Sequence, residues 1–245
     1  MGNNLWIGTA AGAGAMRALD VAANNLANAQ TTGFKADRAV FSVKAVEGAA
    51  GQDPSAGLMA ATASRVDTTA TDFSAGTSIP TDQPTDFAIE GEGFFHLRDD
   101  AGDEFLTRDG AFRLDGEGRL TTRDGLLVLG TDGGAIEVAG SGLEVGVDGS
   151  VRVAGADAGT LAVKDVADRR GLTKVAGTRF EFAGELIDGT GGIAQGRLEG
   201  SNVEPVGALV ELIALQRYYE AFQKSAQAGD DMDQQLAQRV GRKND

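Results

Sequence analysis

The sequence predicts an α+β protein. N- and C-terminal heptad helices form a coiled-coil-like axial domain, and a central antiparallel all-β domain is inserted between them. Three observations predict this. Both chain ends are alanine- and leucine-rich, with apolar residues at alternating steps of three and four. The middle reads as short β-prone runs broken by Asp-Gly pairs. Glycine, at 36 of 245 residues, is roughly double its ordinary share and supplies many tight turns.

Residues 1–35 read as an N-terminal axial helix and a signature that follows it. Leu5, Thr9, Gly12, Met16, Leu19, Ala23 and Leu26 trace the seam, weakened in its first half by Thr9 and Gly12. Gly33 lies a few residues beyond and can end the helical region. A helix this rich in glycine is marginal in water on its own, so it needs a partner.

Residues 36–79, rich in Ala, Thr, Ser and Gly, read as an extended connector with short apolar pieces at Val40, Phe41 and Val43. Residues 80–200 read as the β domain. Asp-Gly stands at 109–110, 115–116, 124–125, 132–133, 148–149 and 188–189, a hairpin signal because glycine tolerates the positive φ of primed turns. Strands are expected at Ala111–Asp115, Arg119–Thr122, Leu126–Leu129, Leu143–Val147, Val151–Val153, Leu161–Val166 and Arg179–Phe182.

Residues 201–245 read as the C-terminal axial helix, with Pro205 in its first turn, where a missing N–H costs little. Ala208, Leu212, Leu215, Tyr219, Phe222 and Ala226 continue the three-four alternation, and Val206, Leu209, Val210 and Ile213 add a second stripe. A helix apolar on more than one side wants more than one partner.

The composition narrows the function. The formal charge is −14. It sits almost wholly in residues 41–200, because Arg17, Lys35 and Arg38 face only Asp20 and Asp37 in the first forty residues and the last segment is close to neutral. An acidic middle repels nucleic acid and anionic membranes. No apolar run is long enough to span a bilayer, and Met1–Ala15 lacks the basic and apolar regions of a Sec signal, so if the protein leaves the cytoplasm another export route must take it. There is no cysteine and a single histidine, which removes the usual zinc sets. His96 therefore reads as a strand residue without a catalytic role. Asp99, Asp100, Asp103 and Glu104 lack the EF-hand spacing and read as a solvated hairpin loop. Gly91-Glu92-Gly93 and Gly189–Gly192 lack the lysine of a phosphate loop and read as turns. No catalytic residue, cofactor or metal is expected.

Asn24, Asn25 and Asn28 need a reason, since asparagine is a poor helix former. One reading is a frayed, solvated helix end. The other is a stripe of amides, each with donors and an acceptor, aimed at neighbouring subunits.

Three separated motifs carry a family resemblance. Ala23-Asn24-Asn25-Leu26-Ala27-Asn28-Ala29-Gln30-Thr31-Thr32-Gly33-Phe34-Lys35 resembles the N-terminal signature of flagellar rod and hook proteins. Ile89-Glu90-Gly91-Glu92-Gly93-Phe94-Phe95, with Thr107-Arg108-Asp109-Gly110-Ala111-Phe112 after it, is similar to a second family motif. Leu198-Glu199-Gly200-Ser201-Asn202-Val203-Glu204-Pro205-Val206, running on to Leu215-Gln216-Arg217-Tyr218-Tyr219-Glu220, is similar to a third. Within the family, the C-terminal run from Tyr219 to Lys224 is nearer the proximal rod type, and Leu5-Trp6-Ile7 is nearer the distal type.

The resemblance implies a structural subunit of the basal-body rod that transmits torque and performs no catalysis. It implies other rod proteins and copies of itself as partners, and passage through the flagellar type III export apparatus to the periplasm. It favours the amide stripe over the frayed end. The assembly surface expected is Leu5, Met16, Leu19, Ala23, Asn24, Asn25, Leu26 and Asn28, with Val206, Leu209, Val210, Leu212, Ile213, Leu215, Tyr219, Phe222 and Ala226. The alternatives are the distal rod subunit and, in another class, a soluble β-domain binding module or enzyme with helical arms.

Overall fold

The computed structural model describes residues 2–43 and 64–241, with the side chains of 12–40, 69–175 and 177–229. The fold is α+β: helix α1 (Gly2–Ala27) at one end, helix α2 (Pro205–Gly241) at the other, and antiparallel strands between. The chain divides into two compact units, one of Met1–Ala27, Asp37–Asp72 and Glu204–Asp245, the other of Asn28–Ala36 and Phe73–Val203.

In the first unit α1 packs on α2 and on an antiparallel strand pair, Asp37–Val43 with Ser64–Thr71. The span read as a connector thus contributes both strands of this pair. The buried positions of α1 are small: Gly12, Gly14, Ala15, Ala18 and Ala22. Small residues let backbones approach closely, and Gly12 shows the reason: a methyl there would lie 2.7 Å from a ring carbon of Phe222 on α2. Pro205 opens α2, and the first helical bond runs from the Ala208 amide to the Glu204 carbonyl at 2.9 Å.

The second unit is built on a large antiparallel sheet. Its main path runs Leu172–Ala176, Arg179–Phe182, Glu104–Thr107, Phe94–Arg98, Leu127–Val128, Leu120–Thr121, Arg113–Leu114. Val163–Val166 joins it at Phe94 and Phe95 and also pairs with Leu186–Asp188. A three-stranded sheet (Leu143–Val145, Ser150–Val153, Ala156–Thr160) and two strand pairs, Gly192–Gln195 with Phe87–Glu90 and Arg197–Glu199 with Ser78–Pro80, complete it.

Alternation fills two cores. One holds Phe87, Phe95, Leu97, Phe112, Leu120, Val128, Val151, Leu161 and Ile193; the other holds Phe94, Leu106 and Phe180, with Phe73 laid edge-on to Phe94. Aromatic pairs at these spacings add stabilisation beyond area burial.

The Asp-Gly pairs divide by environment. Gly125, Gly133 and Gly149 take the positive φ of a hairpin turn. Gly110 does not; its glycine is required because a side chain there would meet the Phe87 carbonyl oxygen. Gly189 likewise lies against Val163 and the backbone of Gly93. The runs at 91–93 and 189–191 are short connections between strands that lie against each other, the Gly191 amide donating to the Glu92 carbonyl at 2.8 Å.

Candidate assembly surface

The terminal helices carry the residues expected to make contacts between subunits. On α2 the stripe Ala208, Leu212, Leu215, Tyr219 and Phe222 is buried or half-buried, whereas Ala226, further along, is exposed. The second stripe stands in solvent: Val206 is 69% exposed, Leu209 47%, Val210 62% and Ile213 42%. On α1, Met16 is exposed while Ala15 is buried; Leu19, Ala23 and Leu26 are half-buried. Leu5 lies in α1, but its side chain is outside the described residues.

The asparagines separate. The Asn25 side-chain nitrogen donates to the Asp37 carbonyl at 2.7 Å and its oxygen accepts from the Asp37 amide at 2.9 Å, so both ends of this amide are used inside the chain. Asn28 closes the turn after α1, its carbonyl accepting from the Thr31 amide and its side-chain oxygen from the Thr31 hydroxyl. Asn24 is exposed.

The second unit contains an ionic network that the sequence did not single out. Glu199, in the strand Arg197–Glu199, is 3% exposed. One carboxylate oxygen accepts from Lys35 Nζ at 2.6 Å and from the Gly76 amide at 2.9 Å. The other accepts from Arg108 Nη1 at 3.1 Å. The Glu199 carbonyl accepts from the Gly33 amide at 2.7 Å. Lys35 also donates to the Ser74 carbonyl, and Arg108 to the carbonyls of Ile89 and Gly91. Among the described residues Arg108 Nε has no hydrogen-bond partner. Burial lowers the affinity of Arg108 for its proton, and Glu199 opposes that effect.

Around this network the motif residues lock together. Gly33, at φ +67°, sits so close to the next segment that a methyl there would fall 2.2 Å from the Asp109 nitrogen. The Thr32 hydroxyl donates to the Asp109 carboxylate at 2.7 Å, and burial raises the pKa of that carboxyl against the pull of the bond. The Lys174 ammonium stands 4.3 Å from the Phe34 ring centroid, a cation–π distance, and donates to the Lys35 carbonyl. The Asn202 side-chain oxygen accepts from the Ala36 amide at 2.7 Å. The one trace of it in the sequence is that Lys35, Arg108 and Glu199 each fall within a family motif.

Other candidates take structural places. His96 Nε2 is 3.0 Å from Glu104 Oε2, and its ring stands edge-on to Phe182. Asp99 closes the loop between Phe94–Arg98 and Glu104–Thr107 by accepting from the Ala101 and Asp103 amides. Among the described residues no cluster of three or more His, Cys, Asp or Glu could hold a metal, and no helix is long and apolar enough to cross a membrane.

Long terminal helices, one bearing an uncovered apolar stripe, and a β unit whose buried charges are spent on its own backbone define a structural class of protein. Comparisons give the family. Residues 9–35 match the family "Flagella basal body rod protein", 88–153 the "Flagellar hook protein FlgE/F/G D1 domain", and 194–239 the "Flagellar basal body rod FlgEFG protein C-terminal". The chain is 31% identical over 251 residues to the flagellar basal-body rod protein FlgF of Caulobacter vibrioides, covering 100% of both chains. It is 34% identical over 243 residues to FlgG of Buchnera aphidicola subsp. Schizaphis graminum, covering 90% of this chain and 93% of that protein. FlgG of Bacillus subtilis is 31% identical over 243 residues, covering 89% and 91%. The chain belongs to the flagellar basal-body rod protein family. It is a structural subunit of the basal body and not an enzyme.

Proposed function

We propose that this chain is a proximal rod subunit that packs into the axial tube through its terminal helices. The observation that carries the reading is the exposed stripe Val206, Leu209, Val210 and Ile213, which leaves α2 with apolar surface on a side that α1 does not fill. Burying what remains exposed of each side chain contributes about 1 kcal/mol. Repeated along a tube, that contributes to assembly without any catalysis. Met16 and Asn24, on the solvent side of α1, extend the surface.

The coiled-coil seam is part of the proposal. On α2 it runs through Ala208, Leu212, Leu215, Tyr219 and Phe222. On α1 the buried and half-buried set Gly12, Ala15, Leu19, Ala22 and Leu26 keeps the three-four alternation. It replaces Met16 and Ala23 with their preceding neighbours and frees Met16 for another subunit. Partners would be other rod proteins and further copies of this chain. Delivery would be through the flagellar type III export apparatus into the periplasm.

The end-to-end match with a FlgF protein supports the proximal position. The slightly higher identity to a FlgG protein supports the distal one, which stands as the second reading. The test of the rod reading is the double substitution Leu209→Asp, Ile213→Asp in an otherwise normal strain. The purified variant should keep wild-type circular dichroism and melting, because neither side chain is buried in the monomer. Cells should lack rods and should not swim. Wild-type swimming would reject the assembly surface.

A further inference from the structure

Glu199 joins four stretches of chain that are remote in sequence: 32–36, just after α1; 74–76; 107–109; and its own strand, which leads into α2. Two cations and one carboxylate are taken out of water to do this, with Lys35, Arg108 and Glu199 at 1%, 5% and 3% exposure. Such burial is a poor way to gain stability, since well-packed apolar residues of similar volume commonly equal or exceed a buried ion pair. What ions and directed hydrogen bonds supply, and an apolar cluster does not, is a single arrangement of the groups that meet.

We infer that Glu199 is a positioning residue whose network with Lys35 and Arg108 fixes the placement of the two chain-end segments on the β unit, rather than holding that unit folded. Three features support this. Each cation is anchored a second time on backbone: Lys35 on the Ser74 carbonyl, Arg108 on the carbonyls of Ile89 and Gly91. The network therefore reports the position of main chain, not only of side chains. The β unit has two apolar cores built from other residues, so it has an independent source of stability. The close approaches at the same place, Gly33 on Asp109 and Gly76 on the Gly200 carbonyl, leave no slack for a shifted register. A shift of the 32–36 segment by one residue would set Phe34 or Ala36 against the carboxylate and leave Lys35 without its anion.

The inference rests on the rod reading only for its biological meaning: a subunit that passes torque needs its chain ends held in one place. The experiment is chosen to be independent of motility. The protein has no cysteine, so one introduced pair accepts spin labels uniquely. Gln30→Cys lies on the segment after α1 and Glu181→Cys on the strand Arg179–Phe182, and both positions are exposed. Pulsed electron spin resonance on the full chain gives the distance distribution between them.

In the wild-type background the distribution should be narrow and single. In Lys35→Met, Arg108→Met, Glu199→Met it should broaden at least twofold or split, while the melting temperature stays within about 5 °C of wild type. Glu199→Gln, which keeps an acceptor for the Gly76 amide and removes the charge, should broaden it less. A folded triple variant with an unchanged narrow distribution overturns the inference, and so does a triple variant that melts far lower or fails to fold. If the distribution broadens as expected but cells carrying the triple variant swim normally, the positioning role stands and its link to torque transmission fails.

Discussion

Gly33→Ala should be far more damaging than its size suggests, and the structure separates the two reasons. Gly33 has φ +67°, a left-handed conformation that costs an L-residue about 1 kcal/mol. A methyl would also lie 2.2 Å from the Asp109 nitrogen and 2.5 Å from the carbonyl carbon of Arg108, both main-chain atoms that no rotamer change can move. Relief requires the two segments to part by roughly an ångström. That stretches the Gly33 amide bond to the Glu199 carbonyl and the Thr32 bond to Asp109, both 2.7 Å. Each such bond contributes about 1 kcal/mol, more where a buried group is left unpaired. The total comes to about 4 kcal/mol, or about 12 °C in melting temperature for a unit of this size.

Gly177→Ala provides the control. Gly177 has φ +57°, close to that of Gly33, but nothing lies within 4 Å of where its methyl would be. It should lose about 1 kcal/mol and about 3 °C. Melts of both variants followed by circular dichroism give the comparison. Equal losses would refute the close-approach argument and leave only the φ penalty.

Two further predictions follow from other elements. Burial holds the His96 imidazole below its ordinary range, although Glu104 pulls the other way. The unfolded chain then binds that proton more readily, so stability from this group is present above the unfolded value of about 6.5 and is lost as pH falls below it. His96→Phe should flatten the fall in melting temperature from pH 7 to 5.5; parallel curves for variant and wild type would rule this out. On α1, Gly12→Ala should destabilise by about 1 kcal/mol despite alanine's better helix propensity, because its methyl meets Phe222. In a Phe222→Ala background the same change should stabilise, and a double-mutant cycle without that reversal would deny the contact.

Much of the β unit was legible because its signals are local. Strands expected at 119–122, 126–129, 151–153 and 179–182 stand at Leu120–Thr121, Leu127–Val128, Ser150–Val153 and Arg179–Phe182. Turns at 125, 133 and 149 have the expected positive φ. Asp109-Gly110 misled because glycine is needed there for a neighbour's carbonyl, a fact that depends on Phe87 and not on the flanking sequence. Ser64–Thr71 pairs with Asp37–Val43, yet half of its eight residues are serine or threonine and it gives little alternation to read. The face of α1 was harder still. Met16 draws attention by size, whereas burial follows the small residues Ala15, Ala18 and Ala22, whose value is to let another backbone come near.

The Glu199 network was beyond sequence reading for a different reason. Lys35 and Glu199 are 164 positions apart, and nothing local to either tells which charge will meet which. Their burial also inverts the usual inference from charge, since lysine, arginine and glutamate are ordinarily solvated. The chain uses charge in two opposite ways, and both serve the same end. Outside, the excess of acid in residues 41–200 sets like against like, a repulsion felt within about 8 Å at physiological ionic strength. In the proposed assembly that discourages β units from sticking to one another and leaves the near-neutral helices, with Val206, Leu209, Val210 and Ile213 uncovered, as the surfaces where copies meet. Inside, opposite charges are paired so tightly that the segments bordering those helices have one place to be. A subunit that joins its neighbours through its ends gains nothing from sticky helices if the segments next to them wander, which is why a costly buried ion cluster belongs on the stretches 32–36 and 197–199.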